Sequence, residues 1–178
     1  MANIVAFDIT TGELLPGFAH SLNAQGMAVA AAPDGTKVYV GGDFTAVDGE
    51  QRGHIAAFDT ATGALDPDFH PWVNDRVQAL SITASTVYAG GQFTQVNWVA
   101  RKNLAAFTPT GALLDWAPTA NAIVTAMVAV PAQSRVIVGG RFTQLNGAAN
   151  YGSGSLDAVT GENRPWAINQ RSDRKSVV

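Results

Sequence analysis

The sequence runs to 178 residues, 47% of them apolar and 14% charged, with a net charge of −3 and a pI of about 5.4. That is enough for one globular body or for several small units sharing a core, and it offers no basic footprint for nucleic acid. Cysteine is absent, which excludes disulfides and thiolate metal sites, and no apolar run approaches the ~20 residues of a spanning helix, so neither nucleic acid nor a membrane span is expected.

Glycine, proline, valine, threonine and phenylalanine are abundant and no helix-period stripe is present, which predicts an all-β chain. Residues 1–23 read as half a unit: a strand over Ile4 to Phe7, a turn at Asp8 to Gly12 and an outer strand over Leu14 to Phe18. Met1 to Asp8 lacks the basic-then-apolar layout of a signal peptide and instead parallels His54 to Asp59. The first whole unit, 24–72, predicts strands over Met27 to Ala31, Lys37 to Val40, Ile55 to Phe58 and Leu65 to Phe69, with a turn at Pro33 to Thr36 and a polar loop over Ala46 to Arg52.

The second unit, 73–120, repeats the order with Val77 to Ile82, Val87 to Ala89, Leu104 to Phe107 and Leu113 to Trp116. The third, 121–169, gives Val124 to Val130, Val136 to Val138, a degraded strand near Ser155-Leu156, and Trp166. There Gly152-Ser153-Gly154-Ser155 replaces the apolar alternation, and fraying is expected. Residues 171–178 read as a non-native or disordered tail, because one permitted codon set for Asp173 to Val178 resembles a common sequencing adapter.

One phrase holds the register: Gly41-Gly42-Asp43-Phe44-Thr45, Gly90-Gly91-Gln92-Phe93-Thr94 and Gly139-Gly140-Arg141-Phe142-Thr143, each 49 residues after the last. A repeat of ~50 residues with four strands is what a β-propeller blade requires. The expected architecture is therefore a partial β-propeller over residues 1–170, about three and a half antiparallel four-stranded blades, with the remaining blades of the ring outside this chain. At each glycine pair the missing side chains would admit another backbone closely, and the phenylalanine would wedge between blades.

Val38 to Thr45, Arg52, Ile55 to Asp59, Thr62-Gly63 and Asp66 to Phe69 together resemble the delta-60 type β-propeller repeat, with a double glycine shared with kelch blades. The resemblance covers about residues 1 to 170, and the third unit departs from it with Asn150 where Arg52 and Arg101 stand. It implies a bacterial protein, secreted or at the cell surface, that acts as a non-catalytic binding or structural scaffold.

Candidate ligand-binding residues fall in two groups. Asn23, Asn74 and Asn121 each follow Phe18, Phe69 or Trp116 by five residues, just before an innermost strand. Their amides would either line a ligand-binding mouth or close turns through local backbone bonds. Arg52 and Arg101 would either bind a carboxylate or form ion pairs. The non-periodic residues are His70, Trp72, Asp75, Arg76 and Trp98; the two indoles offer flat apolar faces for sugar rings, or else cover a blade end. His20, His54 and His70 occupy different places in different units, and Asp66-Pro67-Asp68 is too short for calcium, so no metal, cofactor or catalytic residue is assigned. A protein or carbohydrate ligand is the expected partner. The alternatives are a fragment of a propeller hydrolase or lyase and a spacer with no ligand.

Overall fold

The structure is a computed structural model that describes residues 3–166; the tail proposed for 171–178 lies outside the described residues. It is all-β. Among the described residues the only helical element is a single 3-10 turn at Pro131–Gln133.

The first two strands, β1 (Ile4–Phe7) and β2 (Leu14–His20), form an antiparallel pair. Blade A follows with β3 (Gly26–Ala31), β4 (Lys37–Gly42), a loop hairpin of β5 (Ala46–Val47) and β6 (Glu50–Gln51), and β7 (Ile55–Asp59). Blade B repeats it with β8 (Val77–Ile82), β9 (Val87–Gly91), β10 (Gln95–Val96), β11 (Val99–Ala100) and β12 (Leu104–Phe107). Blade C has β13 (Val124–Val130), β14 (Arg135–Gly140), β15 (Gln144–Leu145), β16 (Ala148–Ala149), β17 (Ser153–Asp157) and β18 (Asn163–Arg164).

The sheets run β3-β4-β7, β8-β9-β12 and β13-β14-β17-β18. Among the described residues only blade C has a fourth strand in its sheet, the two-residue β18. In blades A and B the expected outer strand shrinks to the single bridges Phe58–Leu65 and Phe107–Leu113. Pro67 and Pro71 in blade A and Pro118 in blade B bring no N–H to a ladder in these segments, which limits how far they can pair.

Period-two alternation sends side chains to both faces of each sheet, and the blades share their flanks. Val40, Ala56 and Phe58 pack with Phe18 and Phe44 between β1-β2 and blade A. Tyr39, Ile55 and Ala57 pack with Phe93, Val87 and Ala105 between blades A and B, and Tyr88, Leu104 and Ala106 with Phe142, Val136 and Leu156 between B and C. Phe44, Phe93 and Phe142 are thus the wedges, each on the flank facing the preceding blade. The tyrosines lock the joints from the other side: Tyr39 donates to the Pro109 carbonyl (3.3 Å) and Tyr88 to that of Ala158 (2.8 Å). Burial together with the charges of Asp66 and Asp34 pushes the Tyr39 hydroxyl up to about 12, so it stays a donor.

The glycine pair has two separate reasons. A Cβ on Gly41 would lie 2.6 Å from Val77 Cγ1, and one on Gly90 2.7 Å from Val124 Cγ1, so the first glycine seats the next blade's innermost strand. A Cβ on Gly42, Gly91 or Gly140 would meet the carbonyl oxygen of Gln25, Arg76 or Ile123 at 2.1–2.2 Å, so the second admits the start of the blade's own inner strand.

The degraded strand of the third unit is corrected by the structure. Ser153–Asp157 is a central strand paired with β14 on one side and β18 on the other, not a frayed segment. Its Gly154 is required by packing, since a Cβ there would lie 2.3 Å from Leu145 Cδ1. In blades A and B the same two places hold Ala56 with Val47 and Ala105 with Val96, so the larger Leu145 is matched by the smaller glycine.

Candidate functional site

The loop hairpins β5-β6, β10-β11 and β15-β16 stand at the end of the blades where one blade's outer segment passes to the next blade's inner strand. Each is held by the same clamp. Asn23 Nδ2 donates to Thr45 Oγ1 (2.9 Å), while its Oδ1 accepts from the N–H of Thr45 (2.8 Å) and Ala46 (3.0 Å). Asn74 does the same with Thr94 and Gln95, and Asn121 with Thr143 and Gln144. The signature threonine is thereby explained: its hydroxyl receives the amide, and the hairpin is fixed to the incoming strand. Oδ1 and Nδ2 of all three asparagines are engaged within the protein.

A second clamp works at the hairpin tips. Asp48, Asn97 and Asn146 sit at φ 48–49° and accept through Oδ1, at 2.8 Å, from the N–H of Ser21, Trp72 and Thr119. Asn146 also donates to the Gly161 carbonyl at 2.9 Å. The Asp48 side chain has no N–H to offer, and His20 fills that role: its Nδ1 lies 2.6 Å from Asp48 Oδ2 and its Nε2 2.7 Å from the Gly63 carbonyl. Burial opposes the Asp48 charge, but the bonds from Ser21 and His20 hold its carboxyl below the usual range.

Between the hairpin of blade A and the strand entering blade B lies a cleft of about 920 Å³. Asn23, Asn74 and Trp72 line it, together with Arg52, His54 and His70. His54 Nδ1 is shielded from solvent and has no hydrogen-bond partner. Arg52 is 8% exposed; its guanidinium donates to the Gln51 carbonyl (2.8 Å) and pairs with Glu50 (3.2 Å), while Arg101 donates to the carbonyls of Ala100 and Leu114. Both arginines chiefly brace the loop backbone.

Trp72 meets Trp98 at the rim. Their rings stack at 4.4 Å with an interplanar angle of 16°, and Trp98 is 77% exposed. The tip clamp brings them together, because Asn97 binds the Trp72 backbone and Trp98 follows it in the chain. Asp75 and Arg76 lie apart from this pair: Arg76 Nε is 3.1 Å from Asp43 Oδ1 and 3.8 Å from Asp75 Oδ1, an ion pair beside the first glycine pair. Asn121 belongs to the junction with blade C. Gln51 and His54 are cleft residues that spacing does not reveal; the one signal for His54 is its repeat position, which holds Asn103 and Gly152 in the other blades, residue types suited to the positive φ (65°) the structure gives it.

A second cleft, about 900 Å³ and mostly apolar, opens beside β1. There the β1 edge opposite β2 has no strand among the described residues, whereas β7, its counterpart, pairs along that edge with β4.

Residues 32–69, which run from just after β3 to the outer segment of blade A, match the family model described as "Domain of unknown function (DUF5122) beta-propeller". The fold is a β-propeller. A search of curated proteins gives no match.

Proposed function

We propose that this chain is a non-catalytic binding module, secreted or at the cell surface, whose loop-hairpin face engages a protein or carbohydrate ligand. The delta-60 type repeat that its blades resemble supports the location and the scaffold role. The observation that carries the reading is the division of labour on that face: Asn23, Asn74 and Asn121 build the same clamp at three junctions, while side chains at the hairpin tips vary from blade to blade. A rigid frame with variable tips is how repeat folds present ligand surfaces. The apolar cleft beside β1 suits a further pair of blade strands, which makes the module one part of a larger ring.

The test is a glycan array and a panel of purified surface proteins, probed with the chain and with four-residue Gly-Ser insertions. Insertions at Gly49 and Gly147, on the hairpin tips, should abolish the binding found; insertions at Gly35 and Ser85, at the opposite turns, should leave it. Binding indifferent to the tip insertions, or catalytic turnover of a bound ligand, would overturn the reading.

A further inference from the structure

Trp98 stands where the repeat otherwise has glycine. Its counterparts 49 residues away on either side are Gly49 and Gly147, with φ of 88° and 77°, and Trp98 itself is held at φ 66°. That region is natural for glycine and unfavourable for a bulky residue. Trp72 breaks the repeat too: the residues bound by the other tip clamps at its place are Ser21 and Thr119. The two departures occur in one junction, and their rings meet.

Core packing does not account for the pair. Neither indole belongs to any of the three interblade cores, and both are solvent-exposed. A strained, exposed, bulky residue that interrupts an otherwise regular repeat is the kind of outlier that marks a ligand site.

We propose that the Trp72–Trp98 stack is a platform for a pyranose ring of a carbohydrate chain, with the adjoining cleft taking the hydroxyls of neighbouring sugar units. This rests on the loop face being the binding face. An indole presents a wide apolar surface with a negative π-face, which suits the C–H face of a pyranose. The cleft supplies the other half of sugar chemistry: His70 and Gln51 bring polar side chains to its lining, and about 920 Å³ falls within the size range of small-molecule sites.

Isothermal titration of cellohexaose, xylohexaose, mannohexaose and chitohexaose tests it, using the wild type, Trp98→Gly, Trp98→Tyr and Trp72→Ala. At least one hexasaccharide should bind; Trp98→Gly and Trp72→Ala should weaken it tenfold or more, and Trp98→Tyr should retain most of it. Trp98→Gly restores the residue the repeat uses there, so a binding loss cannot be put down to misfolding once its unfolding curve matches wild type. No binding by any of the four, or wild-type affinity in Trp98→Gly, overturns the platform. If Trp98→Gly binds as wild type while the Gly49 insertion abolishes binding, the loop-face reading stands and the platform falls; if neither change matters, both fall.

Discussion

Replacing Trp98 by glycine and, separately, by alanine divides its backbone strain from its ring contact. A non-glycine residue in the left-handed region costs about 1–2 kcal/mol, and an aromatic stack contributes about 0.5–1.5 kcal/mol beyond area burial. At φ 66° and a ring separation of 4.4 Å both terms apply. Trp98→Gly loses the stack but relieves the strain, so its stability should stay within about 1 kcal/mol of wild type. Trp98→Ala loses the stack and keeps the strain, so it should fall about 1 kcal/mol below the glycine variant. That order is the reverse of the usual one, in which alanine exceeds glycine by about 0.5–1 kcal/mol within regular structure. Urea unfolding with a common m-value reads the difference directly. An alanine variant as stable as the glycine variant, or more so, would refute the claim that Trp98 is held against its backbone preference.

Asn74→Ala removes the three bonds of the clamp and should cost about 1–3 kcal/mol in urea unfolding, while Asn74→Asp, which keeps both acceptor bonds and loses the donation to Thr94, should cost less. His20→Ala should cost about 2 kcal/mol by breaking the link from Asp48 to the Gly63 carbonyl; adding Asp48→Asn should recover part of it, because Asn146 makes that link directly in blade C. Asp157 accepts from the N–H of Thr160 and Val159 and pairs with Arg164, which holds its carboxyl well below the usual range. A lowered native pKa stabilises above the ordinary carboxylate range and is lost as pH falls, so Asp157→Asn should flatten the decline in stability between about pH 5 and pH 2 seen in acid-dependent unfolding.

The strands β8, β12 and β13 fall where apolar alternation places them, because side chains that must reach two flanks leave a period-two trace. The loop hairpins were not legible: Ala46–Val47 with Glu50–Gln51 is too short to alternate, and what fixes it is a side-chain clamp from Asn23. The fraying expected at Ser153–Asp157 fails for a related reason. In a central strand, pairing on both sides and the reach of Leu145 decide the residue, and small polar side chains there do not signal fraying. Of the candidate site, the two tryptophans were visible as breaks in the repeat, but their contact was not, since it depends on the tip bond from Trp72 to Asn97. The asparagine spacing was equally plain. Only geometry shows that their amides already have partners.

Whether neighbouring blades truly share their flanks is tested most directly by placing one methyl group at three equivalent glycines. At Gly41 and Gly90 a Cβ would lie 2.6 and 2.7 Å from the valine of the following blade, whereas at Gly139 the nearest atom is Ala126 Cβ at 3.7 Å. In urea unfolding Gly41→Ala and Gly90→Ala should each lose about 1–3 kcal/mol to overpacking, and Gly139→Ala should stay within about 0.5 kcal/mol of wild type. Equal losses at all three positions would mean that the glycine serves its own sheet alone, and that the blades are not packed against one another as described.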